Sequence, residues 1–104
     1  MDTIRIDVGV NTNLAVDLTE FDFTGIRKVI LTIKNVASVN SPEIIEREFA
    51  EAGMYQVNIL PEESVRLRTG AQYDFCKVMQ DGKIYKLTEN GKIELRQGVG
   101  DCIE

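Results

Sequence analysis

PEESVRLRTGAQYDFCKV, residues Pro61 to Val78, is the stretch on which the fold turns. A proline and two acids open a turn, and Val65 and Leu67 then carry apolar side chains toward Gly70. Tyr73 and Phe75 follow at strand spacing. Leu67, Gly70, Tyr73 and Phe75 thus stand in the pattern Leu-x-x-Gly-x-x-Tyr-x-Phe. In that pattern one strand of a β-sandwich is entered through a corner, and the buried tyrosine hydroxyl bonds back to the backbone. The stretch speaks of architecture and carries no chemistry.

On its C-terminal side, the strand from Ala71 to Gln80 meets Asp81-Gly82, and apolar alternation resumes from Ile84 to Leu87. Asn90-Gly91 repeats the device before Ile93 and Leu95. Asp-Gly and Asn-Gly between alternating segments signal type I′ hairpins, because both central residues of that turn need positive φ. A three-stranded meander is therefore expected, with residues 97–104 as an exit tail.

On its N-terminal side, Tyr55, Val57 and Ile59 make a strand that stops at Pro61. Ile4, Ile6, Val8 and Val10 alternate with polar residues or glycine, and Leu14, Val16 and Leu18 do so again after the turn cluster Asn11-Thr12-Asn13. This period of two marks half-buried strands. Phe21 and Phe23 read as caps on the core. The segment Arg27 to Asn35 is the clearest strand, β-branched and apolar on much of both faces, which places it centrally in its sheet. Val29, Leu31 and Ile33 share one face.

Local signals conflict only from Ser41 to Gly53. Serine before proline and an acid starts a helix and Gly53 ends one, and Ile45, Phe49 and Ala52 sit at helical spacing. Seven short alternating segments surround this one, however, and tertiary context overrides propensity. An edge strand is expected, with Ile44, Glu46 and Glu48 on its outer face as a candidate contact surface. Alternating charges suit an edge, where they discourage pairing with other chains.

A length of 104 residues suits a single domain spanning 1–104 with one core. The net charge is −5 and the 12 Lys and Arg are scattered, so the clustered basic face that nucleic-acid binding requires is missing. No apolar run reaches the roughly 18 residues of a membrane span. The N-terminus MDTIRIDVGV lacks the pattern of a signal peptide, and synthesis in the cytoplasm is expected. There Cys76 and Cys102 are expected to remain thiols.

Histidine is absent, which removes the commonest general base near neutral pH and the commonest metal ligand. The acid pairs Glu46/Glu48 and Glu62/Glu63 lie in stretches that read as solvated, whereas acid–base work needs one carboxyl desolvated. Asp7, Asp17, Glu20 and Asp22 supply oxygen ligands without the spacing of a calcium loop. Tyr73 and Tyr85 could form a sugar platform, but with no Trp and seven aromatics in all the core claims most of them. Neither a cofactor nor an enzymatic activity is expected.

Several segments carry a family likeness: DFTGIRKVILTIKN, IIEREF, YQVNILPEES, LRTGAQYDF and DGKIYKLTENGKIELRQGVGDC. Together they resemble small uncharacterised proteins encoded in phages and prophages of Gram-positive bacteria. More distantly they resemble the Ig-like N-terminal domain of phage baseplate upper proteins. Val29 to Lys34, Gly70 to Phe75, Asp81 to Lys83 and Leu87 to Leu95 line up with the strands and turns of that domain, and the likeness covers about three quarters of the chain. The Leu67–Tyr73 segment also looks like the corner of fibronectin type III modules.

The resemblance implies a structural or assembly part of a virion and transfers no catalytic residues. The fold expected is all-β, a single antiparallel Ig-like β-sandwich of seven or eight strands with the C-terminal meander. The function expected is a protein–protein interaction surface in a tail, baseplate or head, with other virion proteins or further copies of the chain as partners. A small-ligand or carbohydrate-binding β-sandwich is the alternative.

Overall fold

The computed structural model describes residues 3–36, 42–87 and 91–96. Eight strands and one helical turn follow in order: β1 (Ile4–Asp7), β2 (Thr12–Asp17), β3 (Ile26–Lys34), β4 (Glu43–Phe49), β5 (Met54–Ile59), α1 (Pro61–Ser64), β6 (Gln72–Met79), β7 (Ile84–Lys86) and β8 (Gly91–Arg96). The protein is all-β. The larger sheet has the order β1-β8-β6-β3-β4, with β7 also on β6, and β2 and β5 form a second sheet of two strands.

β3 is central, as its β-branched and largely apolar sequence predicts. It pairs antiparallel with β4 on one side and β6 on the other. Its buried residues are Ile26, Val29, Leu31 and Ile33, and Ile33 stands between Ile45 of β4 and Tyr73 of β6. One apolar cluster joins these to Ile4 and Ile6 of β1 and to Val16, Val57 and Ile59 of the small sheet. The core therefore draws on both sheets.

Segment 41–53 forms a strand at Glu43–Phe49, on the margin of the larger sheet. Ile45 and Phe49 are buried while Glu46 and Glu48 are exposed, so pairing with β3 outweighs the local helix signals.

Three expectations are corrected. First, the larger sheet is mixed, because β1 runs parallel to β8 with Ile4 opposite Ile93 and Ile6 opposite Leu95. Secondly, the C-terminal strands form no meander. β7 pairs with Cys76–Val78 and β8 with Gln72–Tyr73, both antiparallel to β6. They run in the same direction along successive parts of one neighbour, so the chain does not reverse at Gly91. Asn90 lies outside the described residues.

Thirdly, the Asp81-Gly82 hairpin is not type I′. Gly82 has φ of 91°, but Asp81 is not left-handed. Met79 N–H donates to Lys83 O at 2.8 Å and Gly82 N–H to Met79 O at 3.0 Å. These bonds close a three-residue loop with a left-handed glycine last, the next commonest hairpin solution. Ile84, where the apolar alternation resumes, is 65% exposed, because the short β7 pairs only with β6 among the described residues.

α1 and the β1–β2 turn are locked together by Ser64, the one buried polar residue among the described residues. Its Oγ accepts the Gly9 N–H at 2.9 Å and donates to Pro61 O at 3.1 Å. Ser64→Ala leaves the Gly9 donor without that acceptor and is expected to cost about 1–3 kcal/mol. Chemical unfolding checks it.

Candidate functional site

The corner residues assemble around the entrance to β6. Leu67 is buried, held by Asn35 at the end of β3. Asn35 Nδ2 donates to Arg66 O at 3.0 Å and Asn35 Oδ1 accepts the Arg68 N–H at 2.7 Å, one bond on each side of Leu67. Gly70 is left-handed at φ 96°. Tyr73 is buried, and its ring meets the half-buried Phe75 edge-on at 6.1 Å. Nothing in the sequence around Asn35 announced this clamp.

The β4 margin carries Ile44, Glu46 and Glu48 as placed by the sequence. Lys28 of β3 pairs with Glu48. Burial, a hydrogen bond with Glu43 and the like charges of Glu43 and Glu48 push the Glu46 carboxyl up, with Lys28 opposing. The margin is thus crowded with negative charge.

Arg47 lies on the opposite face of β4 and reaches across to the second sheet. Its Nη2 donates to Glu63 Oε1 at 2.6 Å and to Asn58 O of β5 at 3.3 Å, and the same Glu63 oxygen accepts the Leu60 N–H at 3.0 Å. Burial acts to raise the Glu63 carboxyl. The hydrogen bonds from Arg47 and Leu60 and the charges of Arg47 and Arg66 outweigh it, so the group sits below its ordinary value. Its stabilising contribution is full above the ordinary value of 4.5 and is lost as pH falls through the lower folded value. Arg47→Met is expected to cost about 1–3 kcal/mol at neutral pH. The deficit should shrink as Glu63 protonates in acid, which denaturant titrations at several pH values will show.

The remaining candidates do not converge. Tyr85 is exposed with Lys77 Nζ 5.7 Å from its ring centre, while Tyr73 is buried, so the two form no platform. Among the described residues no three carboxylates or thiols are grouped to hold a metal ion. Burial and Asp74 push the Cys76 thiol up against the opposing Lys86, away from reactivity. Cys102 lies outside the described residues.

A feature missed by sequence reading lies between β1 and β2. A groove of about 670 Å³ opens there. Its floor is apolar, from Leu14, Leu18, Phe21, Tyr73, Phe75 and Leu87, and its walls include Thr3 and Arg5 on one side and Ala15 and Asp17 on the other.

The backbone phase explains those walls. Leu18 and Gly53 exchange both backbone bonds, at 2.8 and 3.2 Å. By the alternation of an antiparallel ladder, Thr12, Leu14 and Val16 bond to β5, and Asn13, Ala15 and Asp17 direct N–H and C=O away from it. On β1, Val8 N–H donates to Arg96 O at 3.0 Å, so Thr3 and Arg5 likewise turn their backbone groups away from β8. Asp7, in the same phase, donates its N–H to Thr12 Oγ1 at 3.0 Å and closes the narrow end. Two strand edges thus border an apolar floor. Which edge groups face a gap depends on topology, and β1 and β2 gave no sign of it as separate segments.

Compared with protein-family models, curated proteins and solved structures, the chain finds no match in any of the three. No helix among the described residues is long and apolar enough to cross a membrane.

Proposed function

We propose that the chain is a non-enzymatic Ig-like β-sandwich module, a structural or assembly protein of a phage or prophage tail, baseplate or head. It offers its sheet edges to other virion proteins or to further copies of itself. The strand order carries this reading. β8-β6-β3-β4 against β2-β5 is the order of an Ig GFC sheet, extended by C′, against strands B and E, and Tyr73 falls at the start of the strand that would be F. The particle assignment rests only on the resemblance of the sequence segments quoted above to phage proteins.

In this reading the charged β4 margin is an edge protected against indiscriminate pairing. Glu46→Val together with Glu48→Val is expected to add concentration-dependent association through that edge, read by light scattering. Unchanged scattering would remove β4 as a guarded contact edge. The functional test is quantitative mass spectrometry of gradient-purified particles. A fixed copy number per particle supports the reading, and presence in the lysate with absence from every particle fraction overturns it.

A small-ligand module is the second reading, favoured by the groove alone. Its volume falls among ligand pockets of roughly 300–1,000 Å³, and its apolar floor suits an aliphatic or aromatic compound better than a sugar.

A further inference from the structure

We propose that the groove between β1 and β2 captures an extended peptide segment of a partner protein, which adds to the edge of β2 that no described strand pairs, as a third strand of the small sheet.

The walls and the floor together specify that occupant. Asn13, Ala15 and Asp17 turn main-chain donors and acceptors away from β5 at strand spacing, the last two along one wall of the groove, and the natural complement of such a row is another main chain. The floor accepts apolar side chains, which an extended segment delivers at every second residue.

Charge complementarity points the same way. The two charged side chains of the rim are already engaged: Arg5 Nε with Glu94 at 3.2 Å, and the Asp17 carboxylate with the Thr19 hydroxyl at 2.6 Å. Their opposite charges balance, so the rim matches a neutral backbone and offers no seat to a phosphate or carboxylate head group. The β4 margin, lined by Glu43, Glu46 and Glu48, is guarded where the β2 edge is not.

The segment recognised is therefore uncharged at its centre and apolar at alternate positions. The inference takes only its biological setting from the interaction-module reading. Failure of peptide capture by a protein found in particles would remove the groove and leave the module. Capture by a protein absent from particles would do the reverse.

The test is titration of the full chain with a panel of capped seven-residue peptides, Val or Ile at alternate positions and Thr between, followed by amide NMR and hydrogen exchange. At least one peptide is expected to bind and to slow exchange at Asn13, Ala15 and Asp17 tenfold or more. Ala15→Pro removes an N–H that faces the groove and none that faces β5, a position where an edge strand tolerates proline. It is expected to weaken binding at least tenfold with the β2–β5 amides unchanged. Should that variant fail to fold, the exchange pattern of the unsubstituted chain decides. Failure of the whole panel, protection along β4 or β7 instead, or binding unaffected in folded Ala15→Pro would each overturn the proposal. Decanol bound where no peptide binds would overturn it in favour of a small-ligand pocket.

Discussion

Gly91→Ala is expected to destabilise the protein by about 1–3 kcal/mol, the range of an overpacked core. Gly91 does not have positive φ, so conformational freedom is not what the position demands. Space is. A Cβ built on Gly91 would stand 2.3 Å from Cε1 and Cζ of Tyr73 and 2.7 Å from its hydroxyl oxygen. The ring cannot readily yield, being buried on β6 and packed edge-on against Phe75. Moving β8 away instead would pull Ile93 from the core. The midpoint of thermal unfolding should fall by roughly 4–8 °C per kcal/mol lost in a domain of this size. Combining Gly91→Ala with Tyr73→Ala, which removes the obstructing ring, should cost less than the sum of the two single changes. Additive costs, or a stable Gly91→Ala protein, would contradict the seat of the ring on Gly91.

The largest loss is expected from Ile33→Ala. Ile33 is fully buried near the C-terminal end of β3, with Ile45 of β4 and Tyr73 of β6 on either side. Truncation removes buried methyl groups and leaves a cavity that three paired strands cannot collapse to fill. Such changes cost about 2–5 kcal/mol, a large part of the roughly 5–15 kcal/mol that holds a domain together. A clear drop in the urea midpoint with an unchanged slope is the expected result, whereas Ile84→Ala, on an exposed residue, should move it little. Equal effects of the two would contradict the assignment of the core.

Much of this arrangement was legible in the chain. Alternation alone located β1, β2, β3, β5 and the start of β6, because each has one face toward the core. β3 revealed its central place through apolar residues on both faces. The short helical turn at Pro61 and the corner at Leu67–Tyr73 were marked by proline, glycine and aromatic spacing.

What alternation could not reveal was which strands pair. Asn90-Gly91 reads as a turn, yet β7 and β8 continue in one direction, and Gly91 is there to clear the Tyr73 ring. Asp81-Gly82 gave the right place for a hairpin but not its turn type. Ile84 matched the apolar pattern without a second neighbour to cover it. The same limit hid the Arg47–Glu63 link, the Asn35 clamp and the β1–β2 groove, each made by residues distant in sequence. Of the site residues named from sequence, those of the β4 margin fall on β4 and those of the corner fall at and before the start of β6.

The most direct measurement is hydrogen exchange resolved at each amide of β2 in the chain alone. Thr12, Leu14 and Val16, bonded to β5, should exchange slowly, and Asn13, Ala15 and Asp17, directed away from it, should exchange fast. That alternation would show that the outer edge of β2 is open, as peptide capture requires. Equal protection at all six amides would contradict it, for the β2 edge would already be paired.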